Sequence, residues 1–194
     1  MTNSNIYAFR TEALDWCRGR NWYVRVPFLI WLAYVLVRHL SNPMYSSILG
    51  ALNLGLHEFG HLVFSPFGQF LQILGGSLFQ VFAPIFGIFN FYRQEDFFAI
   101  ALSFGWFSTS LFDMARYVSD ARTMNLPLVS PFGGGDDAIH DWNFLLSRLG
   151  LLQLDTKLAF LVKCIATLSM LVCLVFGAWL LWQMYKAKET LNNL

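Results

Sequence analysis

The sequence predicts an all-α membrane protein, a bundle of about five transmembrane helices. Of its 194 residues 56% are hydrophobic, 18% aromatic and only 13% charged, about half the charged share of a soluble domain. Mean hydropathy is +0.49. Apolar runs near the length that spans a hydrocarbon core, about 20 residues, recur along the chain with short polar breaks. A net charge of +1 gives no basic surface for nucleic acid, so the expected partners are membrane lipid and a transmembrane or amphiphilic substrate.

Residues 1–23 carry Arg10, Glu12, Asp15, Arg18 and Arg20 and no leading apolar core, so they read as a cytoplasmic or interfacial segment, not a signal peptide. Residues 24–118 read as a four-helix membrane core. Its first span is about Val24–Leu40, with Arg25 and Arg38 able to snorkel to the two interfaces. The second is Met44–Phe64. The third, about Phe70–Phe91, has no charge but is interrupted by Gly75, Gly76 and Pro84, which predicts a kinked or re-entrant segment. The fourth runs from Phe97 to about Val118 and meets Asp113 and Arg116 near its end.

Residues 119–157 form a long loop between helices four and five, Pro/Gly-rich at first and then amphipathic near His140–Leu149, which predicts a short helix. Residues 158–194 supply the fifth transmembrane helix and a tail, closed by Lys186 and Lys188. Five crossings place the termini on opposite sides and the N-terminal segment on the same side as the long loop. Together those two regions hold most of the Lys and Arg. The positive-inside rule then makes them cytoplasmic, in an integral protein of a bacterial inner membrane. Cys17, Cys164 and Cys173 show no C-x-x-C spacing, so neither a zinc ribbon nor a disulfide framework is expected.

Inside the second span lies LGLHEFGHLVF, residues 54–64. Ionisable groups in a membrane helix are costly and mark functional sites. His57 and His61 are four residues apart, which puts both imidazoles on one helix face, one turn apart. That is the spacing for two ligands of one Zn2+ ion, and Glu58 between them is placed to act as general base on a zinc-bound water.

Two histidines need further ligands. His140, in the string DDAIHDW, lies on the expected side, and Asp113 belongs to a polar stripe on the fourth helix that also includes Ser103, Ser110, Tyr117 and Asp120. His140 and Asp113 are therefore candidate metal ligands. Asp120 is a further candidate, for ligation or for orienting a ligating imidazole, and Asp141 is grouped with it in a supporting or substrate-contacting role. His39, at the end of the first span, reads as an interfacial residue. Gln80 stands four residues before Pro84, which removes the usual backbone donor to the Gln80 carbonyl. An amide and a free carbonyl in mid-membrane suit substrate binding or support of the site.

The motif HEFGH in an early membrane helix, the following Gly-rich, Pro-containing apolar segment and a later helix with Asp113 resemble the site-2 protease class of intramembrane zinc metallopeptidases, as a divergent small member. The resemblance covers about residues 44–120. It implies a membrane-embedded hydrolase with two histidine ligands, a glutamate base and a later aspartate as third ligand. The family's Asn-Pro…Asp-Gly motif is absent, and Ser110-Leu111-Phe112-Asp113-Met114 stands in its place. Two alternatives keep the metal and change the role: a hydrolase of a lipid or small amphiphile, and a non-catalytic metal-binding subunit of a membrane complex.

Overall fold

The computed structural model describes residues 3–127 and 139–192. Among them are seven α-helices and no strand: α1 Asn3–Cys17, α2 Val26–Ser41, α3 Leu49–Phe64, α4 Gln69–Arg93, α5 Phe97–Ser119, α6 Asp141–Arg148 and α7 Asp155–Asn192. Three segments are long and apolar enough to cross a membrane: α4, α5 and Leu152–Thr190, which contains most of α7. Helix α2 is apolar but only 16 residues long, and α3 has the same length.

Local chemistry sets several boundaries. Pro27 sits in the first turn of α2, where no N–H is required, and Asn42 before Pro43 is extended, which stops that helix. The Asp96 side chain caps α5 by accepting the Ala99 N–H at 3.1 Å. Helix α4 runs unbroken from Gln69 to Arg93, through Gly75, Gly76 and Pro84. The re-entrant alternative for this segment is therefore not what forms.

Helix α5 is the axis of the bundle, with most of its length buried. On one side it packs against α7: the Ser108 hydroxyl donates to the Ala166 carbonyl at 2.7 Å, and Ser169 donates to Phe104 at 2.8 Å. Leu32 and Cys173 flank Gly105, and Leu29 covers Gly177. These contacts run α2 antiparallel to α7 and alongside α5 in the same direction. Helix α1 closes this half. Phe9 meets Phe97 at 5.2 Å and Phe176 at 5.9 Å, while Ala13 and Cys17 are buried.

Two topological expectations are corrected. The segment before α2 meets the end of α7: Cys17 Sγ donates to the Leu180 carbonyl, the Trp22 and Tyr185 rings lie 6.0 Å apart, and Lys188 sits over Tyr23. Both termini therefore lie at one end of the bundle, and the connection after α5 lies at the other. The reason is that α3 does not reverse α2. Asn53 bonds Trp106 and Asp113, while His57 approaches Tyr117, so α3 also advances toward the C-terminal end of α5. Residues 42–48 carry the chain from α2 to α3 without reversing it, and strict alternation of five crossings fails. The charge argument for a cytoplasmic N-terminus summed two regions that lie at opposite ends, so it no longer holds in that form.

His39 also departs from expectation. It is buried, its ring stacked 4.5 Å from Phe112 and edge-on to Tyr45, and is not an exposed side chain.

Candidate metal centre

The site is built where α3 and α4 come closest. Gly60 lies against the Gly75 carbonyl so tightly that a Cβ there would collide with backbone. One residue on, Gly76 faces the two histidines. A Cβ on it would stand 2.6 Å from His61 Cε1 and 2.8 Å from His57 Nε2. The H-E-F-G-H spacing and the paired glycines thus solve one packing problem: they bring two imidazoles under a helix backbone with space left around the Nε2 atoms.

The other nitrogen of each ring is already engaged. His57 Nδ1 lies 3.2 Å from Gln80 Oε1, and His61 Nδ1 lies 2.9 Å from the Gln72 carbonyl. The Gln80 amide is oriented by its Nε2 donating to the Ser110 carbonyl at 3.0 Å, so Oε1 is the atom facing His57. The Gln80 carbonyl that Pro84 leaves without a helical donor accepts instead from the Ser110 hydroxyl at 3.1 Å. Both Nδ1 atoms face acceptors only and therefore carry the protons. In the neutral rings both Nε2 atoms then present lone pairs.

Those lone pairs converge on a carboxylate. Asp141 Oδ2 lies 2.8 Å from His57 Nε2 and 3.2 Å from His61 Nε2. Three acceptors in such contact require a shared cation or extra protons on the rings. Burial alone would raise the Asp141 carboxyl, but with those extra protons the two imidazoles donate to it, outweigh the burial and hold the carboxyl below the usual range. The donor set of two imidazoles and one carboxylate suits zinc, which takes such a set with a fourth position open. Tetrahedral zinc needs donor atoms roughly 3.3 Å apart, and both carboxylate–imidazole separations lie within about 0.5 Å of that.

Asp141 is delivered by the turn that starts α6. His140 is the N-cap of this helix, its Nδ1 accepting the Asn143 N–H at 3.3 Å. Its Nε2 donates to Asp120 Oδ2 at 3.3 Å, and its ring packs 4.3 Å from Tyr117. The Tyr117 hydroxyl accepts the Asp141 N–H at 3.1 Å. Asp120 also accepts from the Thr123 hydroxyl and from the Asn125 and Leu126 N–H groups. Against the cost of burial, these donors hold its carboxyl low.

Both His140 nitrogens are spent on placing α6, and its neighbour Asp141 reaches the histidines. Asp120 stands behind His140. Asp113 is also engaged elsewhere, accepting from Asn53 Nδ2 at 2.8 Å with Arg116 at 3.8 Å.

Glu58 completes the arrangement. Its carboxylate can lie within 4.8 Å of ligand atoms of both His57 and His61. Of the two carboxylates near the imidazoles, Asp141 is the one at bonding distance, and among the described residues no hydrogen bond engages Glu58. His57, Glu58, His61 and Asp141 all line a cavity of about 750 Å³ that continues along α3 to Gly50 and Asp113.

Asn53 belongs to the cavity wall and was missed in the sequence. Its signal was present: Asn53, His57 and His61 recur every four residues on one face of α3. No protein-family model, curated protein or solved structure matches this chain.

Proposed function

We propose that the chain is a membrane-embedded zinc-dependent hydrolase of the intramembrane metallopeptidase kind. His57, His61 and Asp141 hold the ion, and Glu58 serves as general base. The observation that carries this reading is the convergence of two Nε2 atoms and one carboxylate oxygen while both Nδ1 atoms are engaged behind them. Zinc held there would supply a Lewis acid and lower the pKa of a bound water toward about 7.

The rest is the work of the chain's own groups. Gln80 and the Gln72 carbonyl fix ring orientation and, in the neutral rings, place the proton on Nδ1 so that each Nε2 faces the site. Glu58 lines the cavity beside the imidazoles and is placed to take a proton from a water there and return it to a leaving group. A closed structural zinc site would use four protein ligands. Three donors beside an unengaged glutamate, opening on a cavity that a substrate can enter, favour catalysis over a purely structural role.

Elemental analysis of the gently purified protein should find close to one zinc per chain, and His57→Ala should lose it. Glu58→Gln should keep the metal and lose about 100- to 10,000-fold of its turnover of a fluorogenic membrane peptide. Absence of zinc from the parent protein, unchanged by His57→Ala, would overturn the proposal.

A further inference from the structure

The cavity has a second polar pole, at the Gly50 end of α3. Asp113 Oδ2 accepts from Asn53 Nδ2 at 2.8 Å, and Asn53 Oδ1 accepts from Trp106 Nε1 at 2.9 Å. Arg116 Nη1 donates to the carbonyls of Met44 and Tyr45 at 3.3 and 3.4 Å. Two atoms are left over. Asp113 Oδ1 and Arg116 Nε are buried and have no hydrogen-bond partner among the described residues, and Arg116 Nη2 stands 3.8 Å from that Oδ1. Both residues line the cavity that His57 and Glu58 line. A Cβ on Gly50 would stand 3.7 Å from Asp113 Oδ2, so the glycine keeps the wall over this carboxylate low.

A buried acceptor and a buried donor without partners each cost free energy until something supplies them. A hydrocarbon chain supplies neither. An ester carbonyl supplies an acceptor for Arg116 and nothing for Asp113. An extended peptide residue supplies both, since its N–H can donate to Asp113 Oδ1 while its own C=O, on the same edge of the extended chain, accepts from Arg116 Nε. Inside a helix those amide groups are already paired, so the ligand must be locally extended.

Resting on the hydrolase reading above, we infer that Asp113 and Arg116 form a substrate subsite that binds the N–H and C=O of one residue of an unwound peptide. Along α3, Gly50 and Asn53 precede His57 by about 6–10 Å at 1.5 Å per residue. An extended peptide covers that distance in about two or three residues. The subsite therefore grips the chain two or three residues from the bond beside Glu58, and it selects peptide over lipid.

The test is a binding cycle that does not depend on turnover. Zinc-loaded Glu58→Gln protein in nanodiscs is titrated with a labelled apolar membrane-spanning peptide. It is then titrated with analogues in which one backbone N–H at a time is replaced by an ester oxygen. At one or two adjacent positions the replacement should weaken binding about tenfold, the size of a hydrogen bond to a charged group. In the additional presence of Asp113→Asn, which keeps an oxygen for Asn53 and turns an NH2 toward the ligand, that position-specific loss should vanish. If Asp113→Asn does not fold, Arg116→Lys keeps the charge, removes the Nε donor and provides a second cycle, read at the ester one residue later, which weakens the C=O that Arg116 would hold.

Equal ester effects with and without the substitution, or no sensitive position, would overturn the subsite even if the wild-type protein cleaves peptides. A coupled cycle in a protein that cleaves none would keep the subsite and overturn the hydrolase.

Discussion

The two sides of α5 use polar groups in opposite ways. Toward α7, hydroxyls and thiols donate to backbone carbonyls and end there: Ser108 on Ala166, Ser169 on Phe104, Cys17 on Leu180. Toward α3 and α4, polar groups are linked in series. Ser110 and the Pro84-freed carbonyl hold Gln80, Gln80 holds His57, and His57 is left with an outward-facing Nε2. Backbone carbonyls close a hydrogen-bond chain, whereas side-chain amides pass orientation along it. The histidines make the same point. His39 and His57 are both buried, yet His39 lies flat on Phe112, and among the described residues its Nε2 has no partner and no donor set converges on it. Burial of a histidine does not make a site; convergence of donors does.

The sharpest break between the two sides should come from glycine. Gly76→Ala places a methyl against two imidazoles that are pinned from behind by Gln80 and the Gln72 carbonyl, so the rings cannot retreat without losing those bonds. Gly105→Ala meets Leu32 Cδ1 at 2.9 Å and Cys173 Sγ at 3.1 Å, the ends of side chains that can rotate. Both substitutions should lower thermal stability by overpacking, by about 1–3 kcal/mol. Gly76→Ala alone should also weaken zinc binding, by at least about 100-fold, because it displaces ligands and not only their support. Chelator competition monitored alongside thermal unfolding separates the two effects. Equal zinc affinity in the two variants would erase the distinction.

A smaller contrast tests the linked polar groups. Gln80→Leu removes the acceptor behind His57 and should weaken zinc binding by about 10- to 100-fold. Ser108→Ala removes a shorter bond, 2.7 Å, on the α7 side and should cost about 1 kcal/mol of stability with zinc affinity unchanged. The same competition titration applies. Loss of zinc in Ser108→Ala would show that the α7 side supports the metal as well.

Much of this was legible beforehand, and the part that was not has specific causes. Helical spacing in H-E-F-G-H was enough to pair His57 with His61, and the loss of a donor at Pro84 was enough to single out the Gln80 carbonyl. Which group would satisfy that carbonyl depended on the register of α4 against α5, which hydropathy does not encode. The direction of α3 was misread because alternation was assumed, whereas the seven residues from Asn42 to Ile48 allow the chain to continue the same way. At the start of α6 the metal-ligand preference of histidine favoured His140. Cap geometry turns that ring back onto the helix, and the first helical residue, Asp141, is the one that points out.

The smallest expected effect addresses that last point and is the most discriminating. Asn is among the best N-caps, and His140→Asn keeps an acceptor for the Asn143 N–H while giving up the imidazole and its bond to Asp120. If His140 places α6 and nothing more, the variant should retain zinc within a few-fold and lose at most about 1 kcal/mol of stability. His140→Ala, which has no cap, should be the worse of the two. A ligand role predicts the reverse pattern, with both variants losing the metal and the cap making no difference. Zinc content after dialysis against a weak chelator, measured for both substitutions beside Asp141→Ala, decides between them. Retention in His140→Asn together with loss in Asp141→Ala would fix the third ligand as the residue after the histidine, on the strength of one helical position.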